Sequence, residues 1–161
     1  MTISTGDHIP AITLKKLGDA GMEDIQMPDY LKGKKVVIFA VPGAFTPTCA
    51  EKHLPGYIEK ADEIKSKGID EIICLAVNDP FVMQHWGKVA GADDKVTMMP
   101  DGNGELTKAM GLEMDGSGFG LGLRSKRYVM VVEDGIVQDL QIEDNPGEVE
   151  LSGARVCAAR L

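Results

Sequence analysis

The sequence predicts an α/β protein with one central sheet, part parallel and part antiparallel, flanked by helices, and three observations carry that prediction. Residues 36–41 and 72–77 are two six-residue runs, apolar throughout and rich in β-branched residues, the pattern of strands buried on both faces. Between them Leu54, Ile58, Ala61 and Ile64 recur at helical spacing, with Glu51, Lys52, Glu59, Lys60, Glu63 and Lys67 on the other side and Gly68 as the stop, so strand, helix and strand form a parallel unit. Residues 128–132 and 136–142 flank Glu133-Asp134-Gly135, which predicts an antiparallel hairpin.

The remaining elements follow in order. Asn78-Asp79-Pro80 reads as a cap followed by proline at the first helical position, with Val82, Trp86 and Val89 marking the face of a short amphipathic helix. Residues 96–99 are a candidate strand before the Pro100-Asp101-Gly102 turn, and 104–110 a candidate short helix. Residues 152–161 predict a terminal helix capped by Ser152. The run Gly116-Ser117-Gly118-Phe119-Gly120-Leu121-Gly122 leads into a strand rather than a helix, so it lacks the setting of a dinucleotide fingerprint and reads as a loop. No repeat or linker interrupts the chain, and residues 1–161 are expected to form one domain.

Composition narrows the function. A net charge of −8 over 161 residues disfavours the basic surface that nucleic acid or an anionic membrane requires. No window approaches the ~18 apolar residues of a membrane span and residues 2–8 are polar, which predicts a cytoplasmic protein with no membrane partner. Three widely spaced cysteines, Cys49, Cys74 and Cys157, match neither a secreted disulfide framework nor a zinc-site spacing.

Cys49 stands apart. Pro42-Gly43-Ala44-Phe45-Thr46-Pro47-Thr48-Cys49 joins the first buried strand to the long helix, beyond a strand's carboxyl end, where sites in α/β sheets concentrate. With Thr46 as cap and Pro47 in the first helical position, Cys49 falls in the first turn, near unsatisfied N–H groups and the positive end of the helix dipole. Cysteines in such settings ionise at roughly 3.5–7.5 instead of ~8.5. The alternative is a small apolar residue packed under the loop.

The same residues resemble the active-site motif of the peroxiredoxins, in particular the type II, peroxiredoxin-five-like branch: Pro42, Thr46 and Cys49 stand in Pro-x-x-x-Thr-x-x-Cys spacing. His53-Leu54-Pro55-Gly56-Tyr57, Val77-Asn78-Asp79-Pro80-Phe81-Val82-Met83 with Trp86, Gly111-Leu112-Glu113 and Gly122-Leu123-Arg124-Ser125-Lys126-Arg127-Tyr128 resemble further blocks of that branch in the same order. The resemblance implies a thioredoxin-like fold and a peroxidase that reduces hydrogen peroxide and organic hydroperoxides with no metal, haem or other cofactor. It implies Cys49 as the peroxidatic nucleophile that becomes a sulfenic acid, Thr46 as a hydrogen-bonding group at sulfur and peroxide, Arg124 as the cation that stabilises the thiolate and the breaking O–O bond, and Pro42 as a shield against water. Arginine stays cationic at any working pH and a hydroxyl both donates and accepts, which is why these residue types suit the task. Read without the motif, Arg124 is a solvated charge and Thr46 only a helix cap. Phe45, Phe119 and Leu121 are candidates for an apolar collar around a bulkier hydroperoxide, or ordinary packing residues.

His53 lies one turn past Cys49 and reads as a packing residue rather than a base, since a thiolate held by a dipole and an arginine needs no further proton acceptor. Pro55 is expected to kink the helix, separating the turn that carries Cys49 from the rest. Cys74 lies 25 residues after Cys49, a spacing resembling members of the branch with an intramolecular disulfide. It stands equally as a resolving cysteine or a small core residue, and bridging requires the first helical turn to unwind. Cys157 reads as a bystander. The family implies glutaredoxin with glutathione, or thioredoxin, as reductant and a homodimer as the assembly. Two other classes remain: a thiol–disulfide oxidoreductase, which would need the CxxC pair absent around Cys49, and a redox sensor or chaperone-like protein using the same cysteine.

Overall fold

The computed structural model describes residues 1–161. Its centre is a five-stranded mixed sheet formed by β3 (Lys35–Val41), β4 (Glu71–Ala76), β5 (Thr97–Pro100), β8 (Tyr128–Glu133) and β9 (Ile136–Ile142), in the order β5-β4-β3-β8-β9. The apolar runs at 36–41 and 72–77 become β3 and β4, which pair in parallel, as do β4 and β5. β8 returns antiparallel to β3 and the tight turn at Asp134-Gly135 sends β9 back along it. Asp134 (φ 51°) and Gly135 (φ 78°) both take the left-handed conformation that such a turn requires.

Alternation divides the core between the two faces of this sheet. Val37, Phe39 and Val41 point to one side, where they pack with α2 (Leu54–Ser66), α3 (Pro80–Ala90) and α5 (Ala154–Arg160). Val36, Ile38 and Ala40 point to the other, against α1 (Met27–Leu31) and α4 (Glu105–Ala109). Since each strand is buried on both faces, the sequence shows a continuous apolar run instead of alternation. No helix is long and apolar enough to cross a membrane.

Several local expectations need correction. The inward face of α3 is formed by Met83, Trp86 and Gly87, while Val89 is exposed; Gly87 sits under Met98, close enough that a Cβ would meet that side chain. Asp79 does cap α3, accepting from the Val82 N–H at 2.8 Å. Ser152 does not cap α5: Gly153 occupies that position and the Ser152 hydroxyl donates to Glu143 instead. The hairpin of β1 (Thr13–Gly18) with β2 (Gly21–Gln26) and the short ribbon of β6 (Glu113–Asp115) with β7 (Leu123–Ser125) lie outside the main sheet. Their mixed, largely exposed residues carry no period strong enough to mark them in the sequence.

Candidate active site

The loop after β3 and the first helical turn place Cys49 at the carboxyl end of the central strand. Helical conformation begins at Pro47, one residue after Thr46, so Cys49 lies in the first turn as the spacing predicts. From Cys49 to His53 the helix widens into a π turn, with the Leu54 N–H bonding back to the Cys49 carbonyl. Pro55 explains the widening: it has no N–H to donate and its ring crowds the carbonyl four residues back, and one extra residue in the turn relieves both. The expected kink is thus this π turn, and it begins at Cys49.

Two side-chain hydrogen bonds and one residue in the left-handed conformation define the loop. The Ala44 N–H donates to the Asn78 side chain at 2.9 Å, tying the ends of β3 and β4 together. Phe45 adopts φ 63°, a conformation rare for a residue with a side chain. The Thr46 hydroxyl donates to the Gly43 carbonyl at 2.7 Å. Its proton is therefore committed to the loop, and only its lone pairs remain to accept from a ligand, which narrows the expected dual role to that of an acceptor.

The arginine at the sulfur is Arg127. Its Nη2 donates to Cys49 Sγ at 3.0 Å, its Nη1 to His53 Nδ1 at 2.7 Å and its Nε to the Pro146 carbonyl at 2.8 Å. Arg124 is elsewhere: in β7, half-buried, its Nε donates to the Leu121 carbonyl at 2.9 Å, and its Nη1 crowds Gly43, where an added Cβ would come within 3.1 Å. The expectation that Arg124 holds the thiolate is therefore corrected, and the reason is strand parity. Tyr128 pairs with Ala40 and Val129 with Phe39; Tyr128 faces the α1/α4 side and Val129 the Cys49 side. Arg127, one residue before Tyr128, leaves the strand on the Cys49 face, while Arg124 belongs to a different ribbon.

A cavity of about 450 Å³ opens beside this group. Pro42, Thr46, Phe119, Leu121 and Arg127 line it, together with Met114 and the 145–147 loop. Of the three residues weighed for an apolar collar, Phe119 and Leu121 line this cavity. Phe45 does not line the cavity; its ring packs 6.1 Å from both His85 and Trp86. Cys49 has no exposed surface, and Arg127 connects its sulfur to the cavity.

His53 is fully buried, tilted against Phe39 (4.9 Å between centroids) and Tyr57 (5.6 Å). Burial first, and the Arg127 charge second, push its pKa down to about 3. Sequence reasoning missed Arg127 and the polar side of His53; the Arg127-Tyr128 boundary at the start of β8 was the signal available for the first. Cys74, central in β4, is also fully buried and its thiol is pushed well up, by burial first and the Cys49 charge second. Cys157 is buried in α5 and raised for the same leading reason. All three cysteines are free thiols. No group of three His, Cys, Asp or Glu side chains is placed to hold a metal ion.

Comparison with known proteins points the same way as the geometry. The redoxin family profile matches residues 4–155. Peroxiredoxin-2B of Arabidopsis thaliana is 46% identical over 153 residues, covering 94% of this chain and 94% of its own. The chloroplastic Peroxiredoxin-2E of the same plant is 46% identical over 147 residues; the match takes in 89% of this chain and spans only 63% of that relative's length. Reduced Prx3 of Vibrio vulnificus, solved in complex with H2O2, superposes with a TM-score of 0.94 at 48% identity, covering 99% of both chains.

Proposed function

The chain belongs to the type II peroxiredoxins of the redoxin family, and from that premise we propose that residues 1–161 form one thioredoxin-fold domain that reduces hydrogen peroxide and organic hydroperoxides through Cys49. The observation that carries this reading is the 3.0 Å bond to the Cys49 sulfur from Arg127, which lines a cavity together with Thr46 and Pro42.

The thiolate sulfur attacks the nearer peroxide oxygen with an electron pair. The S–O bond forms as the O–O bond breaks, the departing oxygen takes that bond's electrons and the proton of the attacked oxygen, and water or alcohol leaves. Sulfur is oxidised by two electrons, and the oxygen it now carries takes a proton from solvent to complete the sulfenic acid. The Thr46 lone pairs accept the peroxide O–H and so orient the attacked oxygen. The Arg127 fork, held next to sulfur in a water-poor setting, stabilises the negative charge as it passes to the departing oxygen. Pro42 covers the cavity with an apolar ring that offers water no donor. Phe119 and Leu121 give a hydroperoxide's alkyl chain apolar surface to lie against.

Reduction of the sulfenic acid is assigned to an external thiol donor, glutaredoxin with glutathione or thioredoxin. The raised, fully buried Cys74 thiol is a poor attacking group, which supports a mixed disulfide with the donor over an internal bridge. A cytoplasmic setting is likewise proposed, resting on the three free thiols. A homodimer is proposed from the likeness to the type II peroxiredoxins, with the exposed rings of Phe45, Phe81 and Phe119 as candidate contacts; a monomer in sedimentation at micromolar concentration would overturn it.

The test is peroxide turnover with each donor system. Cys49→Ser should abolish it, and Arg127→Ala should lower kcat/KM by about 10²–10³-fold, whereas Arg124→Ala should cost less than about 10-fold. Equal losses at the two arginines would refute the assignment of Arg127, and turnover by Cys49→Ser would refute the function. Intact mass after one equivalent of peroxide should show a gain of one oxygen, unchanged by Cys74→Ser; a loss of two hydrogens that Cys74→Ser prevents would restore Cys74 as the resolving thiol.

A further inference from the structure

Arg127 lies in a closed ring of buried hydrogen bonds that the peroxidase chemistry leaves unexplained. The guanidinium has only donors, so His53 Nδ1, 2.7 Å from Arg127 Nη1, must be the unprotonated nitrogen and accept. The imidazole proton is then on Nε2, which donates to the Ser152 carbonyl at 3.0 Å. That carbonyl also accepts from the Tyr57 hydroxyl at 2.6 Å. The Ser152 N–H and hydroxyl both donate to Glu143 Oε2 at 2.6 Å, and the Leu151 N–H to the same oxygen at 2.8 Å. Glu143 closes the ring, its own N–H donating to the Arg127 carbonyl at 2.9 Å. Arg127, His53, Ser152 and Glu143 are all buried.

Two functions for His53 are excluded by this arrangement. It is no base for the Cys49 thiol, because its one lone pair faces Arg127 and its one proton faces Ser152. Nor is it packing alone, since an arginine N–H and a serine carbonyl both point at it in an interior where an unmet polar group is costly.

We propose that His53 is a positioning residue for the peroxidase reaction: accepting from Arg127 Nη1, it holds the guanidinium fork so that Nη2 stays on the Cys49 sulfur, and Glu143 sets the Ser152 segment that holds His53. This rests on the peroxidase reading above. Neither His53 nor Glu143 touches the peroxide; both act through Arg127. Without the His53 acceptor the fork keeps only the Pro146 carbonyl as an anchor besides the sulfur, and it can swing out of the plane in which it meets the departing oxygen. Burial and the neighbouring cation hold the imidazole in its uncharged form, with a pKa of about 3, so the arrangement persists at any pH at which the thiolate reacts.

The test is the single-turnover rate at which the fully reduced full-length protein is oxidised by hydrogen peroxide, followed by quenched-flow intact mass. His53→Leu, which keeps the apolar contacts with Phe39 and Tyr57, should slow oxidation about 10- to 100-fold. His53→Asn, whose Oδ1 takes the place of Nδ1, should recover the rate to within roughly 10-fold of wild type. In an Arg127→Ala background, His53→Leu should cause no further loss, because its effect passes through the missing guanidinium. Glu143→Gln, a near-isostere that spares the packing, should slow oxidation by roughly threefold, again only when Arg127 is present. A wild-type rate in His53→Leu, an Asn variant as slow as the Leu variant, or a loss that multiplies with Arg127→Ala would each overturn the proposal. If His53→Leu does not fold, the Glu143→Gln result decides: a wild-type rate overturns it. A wild-type protein that peroxide fails to oxidise at Cys49 would instead refute the function itself, before any variant is compared.

Discussion

The two faces of the central sheet are made from the same strands, yet they are buried in different ways. On the α1/α4 side Val36, Ile38, Ala40, Ile73 and Leu75 meet Met27, Leu31 and Leu106 in an apolar core. Its buried polar groups belong to one corner: Asp101 caps α4 by accepting from the Leu106 and Thr107 N–H groups, while the Thr107 and Tyr128 hydroxyls have no partner. On the α2/α5 side an equally apolar layer is crossed by the ring that runs from Cys49 through Arg127, His53, Ser152 and Glu143. A sheet face can be filled by shape alone, whereas a buried cation needs an acceptor for each N–H it turns inward. The α2/α5 face therefore brings in a whole loop, residues 143–152, to supply carbonyls and a carboxylate, and this requirement gives the site its geometry.

The largest difference between the faces should appear in acid. His53 is uncharged in the folded protein and is protonated in the unfolded chain near 6.5, its ordinary value. Between pH 6.5 and about 3 the unfolded state binds the extra proton, so stability falls as pH falls. The contribution of this one group is complete above pH 6.5 and is lost at up to about 1.4 kcal/mol per pH unit below it. Urea midpoints at pH 7 and pH 4.5 should therefore separate in the wild type and draw together in His53→Asn. An unchanged separation would show that the α2/α5 face titrates no differently from its counterpart.

A smaller contrast concerns two tyrosines. Tyr57 donates to Ser152 and stacks on Phe39 at 4.0 Å, whereas the Tyr128 hydroxyl is buried without a partner. Tyr57→Phe should cost about 1 kcal/mol. Tyr128→Phe should be neutral or stabilising, because it removes a desolvated hydroxyl that gained nothing in return. Denaturant unfolding of the two variants checks this, and a larger loss at Tyr128 would reverse the comparison.

The residues legible from the sequence are those that act through their local chain. Strands β3, β4 and β8 could be read because runs of buried, largely β-branched residues have one conformation open to them, and β9 because the Asp134-Gly135 turn sends the chain back along β8. Asp79 could be read as a cap because its partner lies three residues away. Cys49 could be read for the same reason: Thr46 and Pro47 set the start of the helix within four residues of it. What could not be read depends on distant parts of the chain. Ser152 has the composition of a cap, but Glu143, nine residues away, takes its hydroxyl. Phe45 sits in the motif, yet its ring goes to α3 rather than the cavity. β1 and β2 are exposed enough that their pairing leaves no periodic mark.

Arg124 and Arg127 show where that boundary falls. Two arginines three residues apart, in one segment of like composition, are equivalent in the sequence. They separate only when Tyr128 takes its register against Ala40 and alternation sends Arg127 to the face where Cys49 waits. The sequence by itself determined the class of fold and the helix start that places Cys49 in its first turn, since each follows from neighbours along the chain. The tertiary structure decided which cation meets the sulfur, which nitrogen of His53 carries the proton and why Glu143 is buried. The first two are properties of groups 74, 78 and 99 residues apart, and the burial of Glu143 comes from its bonds to Leu151, Ser152 and Arg127; the five-stranded sheet and the loop laid over it bring all of these groups within hydrogen-bonding distance.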